Sequence, residues 1–495
     1  MAACPAGEAS ANTEPVAIPR YNVTLESKTH DCVLDAMADT ARPNLSQAEF
    51  RGRIGVARRD ATPPLGIYSR TWGSALHDTA AGVHRPLLAT CLVFRDAAAR
   101  KELVFVTLDV MVFWQEEALK LRAAILSRLG LRAEQLIVHP SHSHSTPMLL
   151  RKHADRAGGH LIGPYLDSLP GLFCELIEEA RSACVEATLS WRYGRCSMAL
   201  NRDAIDAGSG RDICGLNPHA PADDTVLVGR VTDGSGRVRA SIVNYACHPV
   251  SLGGGNQLLS PDYVGAMREL IEKEVGGVCV FFHGASGDMT PRRSYESDVA
   301  AADQNGRELG YSALGALAAM YPPGQQLEYA GIEESGTALG LWRLAPKQRV
   351  NDTISAERIT TTLLTRDMPT RAQIASAMAA NPDRHELERL ERAMDRRAIV
   401  GDGAEGEFYF TVWRLGDGFI VATPAEPYSE FQLALRARFP DVPIGVLNAS
   451  DGCLNYLPVP SAFDGDVYQV RVALFQTGSL EKLLELAAGA IQRMR

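Results

Sequence analysis

Three of the chain's twelve histidines, His139, His142 and His144, fall within one short stretch, VHPSHSHSTP, that follows an apolar run. Three other segments place reactive side chains directly after an apolar run: His248 in NYACHPVSL, Glu426 in VATPAEPYSE, and Asn448 with Tyr456 in GVLNASDGCLNYLP. Neutral imidazoles with one carboxylate are a common ligand set for zinc, and a catalytic zinc site keeps one position open for water. If the backbone is extended, the i, i+2 spacing of His142 and His144 puts both rings on one side. The same imidazoles could move protons instead. A lone histidine at a strand end is more often a hydrogen-bonded structural residue, so the metal reading rests on several loops agreeing.

Those loops need a scaffold whose strand ends converge. Two strand-like runs, Pro86–Asp96 and Lys101–Phe113, are joined by the tight connection AAAR, and Glu116–Leu131 has apolar residues at helical spacing before a strand into the histidine loop. The rhythm repeats: a long amphipathic helix over 163–187, strands at 189–200, 224–233 and 238–249, a helix at 263–276, the buried strand GVCVFF and a helix at 303–321. Residues 372–399 read as a charged helical pair with a solvated face. Residues 408–427 read as a hairpin around Gly416-Asp417-Gly418, and 443–452 as a last core strand. The alternation predicts an α/β fold: one large domain over 48–495 with a mixed, mostly parallel sheet flanked by helices and the site at strand C-terminal ends. The connections 205–224 and 341–372 are long enough for lids or subunit contacts. Residues 1–47, rich in Ala, Pro, Thr, Ser and Asn, read as a flexible leader or arm, suited to packing on a second subunit in a homo-oligomer.

Composition narrows the function. With 46% hydrophobic and 22% charged residues the chain can bury a large core. A net charge of −9 without a basic block disfavours nucleic acid as a partner. No apolar run reaches the roughly 20 residues of a membrane span, and the N-terminus lacks the charged and apolar regions of a secretory signal. Ten scattered cysteines without a CxxC pair fit reduced, buried thiols, and a cytoplasmic location is expected.

The segments HSHSTP, NYACHPVSLGGGNQLLSPDYVGAMRE, GASGDMTPR, PAEPYSE and NYLPVPSAFDGDVYQV, in that order, resemble the signature segments of the neutral/alkaline ceramidases, and the likeness runs over roughly 50–495. It implies a zinc-dependent amidohydrolase with one Zn2+ per chain, held by His142, His248, Glu426 and Tyr456. The reaction implied is hydrolysis of an N-acyl bond by a water that zinc acidifies from a pKa of 15.7 to about 7. It also implies that His144 faces that water or the substrate carbonyl and moves the proton, and that Arg202, beside Asn201, and Tyr468 donate to the oxygen that becomes negative. His84, Thr146, Asp288 and Thr290 lie in family-like segments and are expected to line the substrate site. His139 matches no family ligand and reads as a supporting residue. Asp109 reads either as a support of the metal site or as a loop cap.

Departures from the family bear on substrate. Ala425 stands where the family has Gly, and Thr146-Pro147-Met148-Leu149 replaces its glycine-rich wall after the histidines. The chain ends at Arg495 after one helix, and no C-terminal β-sandwich is expected. The substrate expected is therefore a small soluble amide rather than ceramide. The alternatives are an esterase or lactonase, a C–N hydrolase of a small polar metabolite, or a catalytically silent scaffold. The last is disfavoured because all four ligand positions are present.

Overall fold

The strand Leu88–Arg95 is buried along nearly its whole length because its two faces serve two cores. Ala89, Cys91 and Val93 join one apolar cluster, while Leu92 and Phe94 join another. The same holds for Glu102–Leu108, where Val104, Val106 and Leu108 face one way and Leu103 and Phe105 the other. These strands therefore lie inside a layered structure. The computed structural model describes residues 44–380 and 383–495, so the expected arm lies outside the described residues except for 44–47. Contacts divide the chain into a large unit, Leu45–Leu327 with Leu344–Arg495, and a small unit that includes Glu328–Arg343. The site lies wholly in the large unit.

The principal sheet has eight strands: β1 (Ala48–Asp60), β2 (Leu88–Arg95), β3 (Glu102–Leu108), β4 (Leu136–Pro140), β5 (Val185–Arg195), β6 (Thr225–Asp233), β7 (Val238–Tyr245) and β8 (Val278–His283), in the order β8-β7-β6-β5-β1-β2-β3-β4. A second sheet runs β9 (Ile354–Leu364), β10 (Glu405–Leu415), β11 (Gly418–Ala422) and β12 (Ile444–Leu447). One apolar cluster joins the two sheets, with Phe94, Phe105, Trp191 and Phe282 from the first and Trp413, Ile420 and Leu447 from the second. The helices α1 (Gln115–Leu129), α2 (Ile162–Ser182), α3 (Tyr263–Val275) and α4 (Val299–Ala318) cover the outer face of the first sheet. The helices α5 (Glu430–Arg438) and α6 (Ser479–Met494) cover that of the second. The result is a helix–sheet–sheet–helix sandwich.

The sheet is mixed and helix-flanked, as expected, but it is not mostly parallel. In the principal sheet only β7–β8 and β3–β4 are parallel, and the other neighbours run antiparallel. Short connections are the reason. Asp96–Lys101 between β2 and β3 and Gly234–Arg237 between β6 and β7 are hairpin lengths, which can join only antiparallel neighbours. The parallel pairs, β3–β4, β7–β8 and β11–β12, are those with a helix between their strands: α1, α3 and α5. In such units ligands gather at the carboxyl ends of the strands. The connection 205–224 is also not free loop, since Asp212–Asn217 pairs with Ala199–Ile205, and most of 354–372 is β9.

Asp109, at the end of β3, is the cap that sequence left as one of two readings. Its carboxylate receives both ends of the Arg268 guanidinium at 3.1 and 2.7 Å and accepts from Leu88 N at 2.9 Å, tying β3 to α3. Both side chains are buried, so removing one leaves an uncompensated charge. Arg268→Met is expected to cost about 3–5 kcal/mol, read as a fall in the chemical denaturation midpoint.

Candidate metal centre

The three helix-bridged strand pairs deliver their carboxyl ends to one place. His142 follows β4, His248 follows β7, His283 closes β8, and Glu426 and Tyr456 follow β11 and β12 on two short parallel strands, paired Glu426 to Tyr456. His142 does not reach the site on an extended backbone, as its spacing had implied. Its φ is +69°, a conformation uncommon for a residue with a side chain. The surroundings hold it there, because His142 N donates to Val110 O at 2.9 Å and its Nδ1 meets Met111 O at 2.7 Å. His142 and His144 therefore meet across a turn, with ring centroids 5.2 Å apart and planes at 82°.

The partners of each ring decide where its proton sits. A carbonyl oxygen only accepts, so Met111 O calls for Nδ1–H on His142 and leaves its Nε2 turned toward the cluster. Likewise Ser286 O, 2.7 Å from Nδ1 of His248, requires the proton there. Both Nε2 atoms face the same carboxylate oxygen, Glu426 Oε2, at 3.2 Å from His142 and 3.0 Å from His248. Burial, with Arg202 adding to it, holds the pKa of His248 down at about 3. Burial opposes ionisation of Glu426, yet His142 and His248 outweigh it and hold that carboxyl well below its usual range. Two imidazole nitrogens and a carboxylate oxygen thus converge, and Nε2 of His142 is buried without a hydrogen-bond partner. With both imidazoles neutral, such an arrangement suits a cation among the three. Tyr456 Oη is 3.3 Å from His248 Nε2, and His144 brings a third imidazole whose ligand atom lies within 4.8 Å of those of His142 and His248. The donor set fits a metal ion.

His144 is not tied down in this way. Its Nε2 is buried and unpartnered, and burial, then His142 and His248, pushes its pKa well below the ordinary value, so the ring is neutral. Arg202 is buried, and its Nε and Nη2 donate to Gly287 O at 3.1 and 2.7 Å. No carboxylate pairs with it among the described residues, and its Cζ lies 5.5 Å from the centre of the Tyr456 ring. The guanidinium is thus held by a carbonyl beside the cluster, not spent in an ion pair. Tyr468 is 46% exposed and packs edge-on to Tyr456 at 6.0 Å, on the solvent side.

The four residues expected to line the substrate site each have partners within the fold. Thr146 Oγ1 accepts from Met111 N at 3.0 Å and donates to Ser143 O at 3.0 Å, bracing the segment that orients His142. Asp288 accepts from Ser429 N and Oγ at 2.7 and 2.9 Å and from Asn201 Nδ2 at 3.3 Å, fixing the start of α5. Burial pushes its pKa up to about 6. Thr290 is fully buried and paired with Leu200. His84 bonds Ser260 Oγ at 2.9 Å and lies against Arg85 and Asp303. His139 is a support, as read from sequence: its Nε2 accepts from His283 N and its Nδ1 meets Ser450 Oγ, both at 2.9 Å.

The residue that sequence reasoning missed is His283. Its ring stacks on His142 at 4.7 Å and 13°, and its Nε2 lies 2.7 Å from Ser286 Oγ, which itself lies 3.0 Å from His248 Nδ1. One side chain thus steadies both metal-facing imidazoles. It closes the apolar run GVCVFF as His248 follows ASIVNYA, so the same signal could have found it. His283→Leu is expected to weaken metal affinity by about 10–100-fold, measured by competition with a chromophoric chelator.

No family model matches the chain. A neutral ceramidase of Pseudomonas aeruginosa is 24% identical over 292 residues, covering 56% of this chain and 42% of that protein. A solved structure described as ceramidase complexed with C2 and the crystal structure of the P. aeruginosa neutral ceramidase each superpose with a TM-score of 0.63 at 15% identity. They cover 90% of this chain and 76% and 75% of theirs. The chain has the neutral ceramidase fold. The resemblance drawn from the signature segments is thus borne out, and the aligned sequence spans less than half of the curated neutral ceramidase. Among the described residues no helix is long and apolar enough to cross a membrane, and the eight described cysteines are free.

Proposed function

We propose that the chain is a zinc-dependent hydrolase of amide bonds, with His142, His248, Glu426 and Tyr456 as the ligands. The observation that carries this reading is the convergence of the Nε2 atoms of His142 and His248 on Glu426 Oε2 at 3.0–3.2 Å. These spacings, with Tyr456 Oη 3.3 Å from His248 Nε2, would let the four side chains hold one zinc between them. Bound there, zinc supplies a Lewis acid for the amide carbonyl and acidifies a water. The chain's own groups do the rest. His144, neutral and unpartnered, accepts a proton at Nε2 during attack and returns it to the departing nitrogen. Arg202, held by Gly287 O, presents a fixed positive charge to the oxygen that becomes negative. Burial of His142, His248 and Glu426 strengthens each of these interactions by excluding bulk water. Likeness to the neutral ceramidases supports an amide over an ester as the scissile bond.

The test is turnover of matched N-acyl amides and O-acyl esters by purified protein, before and after chelation and after zinc is returned. The reading expects amide hydrolysis that chelation abolishes and zinc restores. Full activity in the chelated protein, or cleavage of esters alone, would refute it.

A further inference from the structure

The loop 448–455 runs from the end of β12 to Tyr456 and touches, on the way, the segments that carry His283, Glu426 and His142. Asn448 N donates to His283 O at 3.0 Å and Ala449 N to Ala425 O at 3.0 Å, while Asn455 O accepts from Glu426 N at 2.9 Å. On the other side Asp451 N donates to the carbonyl of Val138, four residues before His142, at 2.7 Å. The loop takes an unfavourable shape to do this. Three of the seven non-glycine residues with positive φ among the described residues lie in it: Ala449 at +48°, Asp451 at +64° and Asn455 at +54°. Such conformations cost energy in residues with a side chain and persist only where the surroundings over-determine them.

Asp451 supplies that over-determination. It is buried, and all of its polar atoms are bonded. Its carbonyl accepts from Tyr409 Oη at 3.0 Å, Oδ1 accepts from Val138 N at 2.8 Å and from Arg122 Nη1, and Oδ2 accepts from Arg358 Nη1 at 3.2 Å. β4 is the last strand of its sheet, so Val138 has no neighbouring strand on that side, and Asp451 supplies both the donor and the acceptor that a further strand would. The two arginines come from different layers. Arg122 lies on α1 and also donates to Leu136 O at 2.7 Å, and Arg358 lies on β9 with its Cζ 4.2 Å from the centre of the Tyr409 ring. Gln115, at the start of α1, fixes the far half of the loop by accepting from Cys453 N at 3.2 Å and donating to Tyr409 Oη at 3.0 Å. Among the described residues, Asp451 bonds none of the proposed zinc ligands.

We propose that Asp451 is a positioning residue of the metal centre: it ties the loop that braces Glu426 and leads to Tyr456 to the strand that leads to His142, and so sets how far apart these three donors stand. The inference rests on the metal-hydrolase reading and adds to it a residue that acts through the loop. Asp451→Asn tests it, because asparagine keeps the shape, adopts positive φ more readily than most residues and removes the charge that faces Arg122 and Arg358. Asp451→Ala removes every side-chain bond and should give a larger effect in the same direction. Folded Asp451→Asn protein is expected to bind zinc about tenfold more weakly in competition with a chromophoric chelator, the lower end of the loss for groups that orient metal ligands. At saturating zinc, kcat for an N-acyl amide should fall with little change in KM. A lower denaturation midpoint with zinc affinity and kcat at wild-type levels would make Asp451 merely structural and overturn the proposal, and so would a change confined to KM. If the wild type binds no zinc or cleaves no amide, the functional reading fails separately, and amide hydrogen exchange of the metal-free protein still decides the role of Asp451. Faster exchange in Asp451→Asn over 138–145 and 448–457, with β5 unchanged, sustains Asp451 as the residue that positions these loops. Exchange that is unchanged, or raised throughout the chain, overturns it.

Discussion

Replacing His142 by alanine is expected to lower amide hydrolysis by at least about a hundredfold, the upper end of what is lost when only a supporting group of a metal site is removed. The effect should exceed that of a support because His142 provides one of the converging lone pairs. Its removal leaves Glu426 facing His248 alone and opens a hole beside the stacked His283. The loss should be accompanied by a matching fall in zinc affinity in a chelator competition. It should not unfold the protein, because His142 sits in a loop whose backbone bond to Val110 O survives the change. Alanine also tolerates φ of +69° poorly, so a small stability cost is expected on top. His142→Ala that kept its zinc and its rate would remove His142 from the centre.

Arg202→Met is the second large effect, and it should separate chemistry from metal binding. Methionine fills much of the same space and cannot donate. The guanidinium rests on Gly287 O and the Tyr456 ring, not on an acid, so its loss leaves no buried carboxylate unpaired. Zinc content should stay at the wild-type level while kcat falls by about 10²–10³, the scale of one donor to a developing oxyanion. KM should move little, because the interaction grows as charge develops on the oxygen. A KM effect without a kcat effect would make Arg202 a ground-state binding residue.

The layering and the centre were legible in the sequence to different degrees. Doubly buried strands such as LATCLVFR announced a layered α/β fold, but a run that is apolar on both faces does not say whether the second face meets helices or another sheet. The sheet-on-sheet core around Phe105, Phe282 and Trp413 was therefore invisible, and so was the antiparallel majority. The loops that carry the proposed ligands stood out because they follow apolar runs, and the choice of His142, His248, Glu426 and Tyr456 among their residues came from the resemblance to the ceramidase segments. What positions them was not, since Met111 O and Ser286 O act through the backbone, which any residue supplies. The partners of Thr146 and Asp288 were hidden for a related reason. Proximity in sequence to a signature segment does not reveal that a hydroxyl or carboxylate is already consumed by Met111 N or Ser429 N.

The central claim, that His142, His248, Glu426 and Tyr456 hold a zinc on which amide hydrolysis depends, is tested most directly by elemental analysis of the purified protein alongside its turnover. About one zinc per chain is predicted, with activity falling in proportion as zinc is withdrawn and returning when it is restored. Protein that hydrolyses amides at full rate while free of bound metal would contradict it.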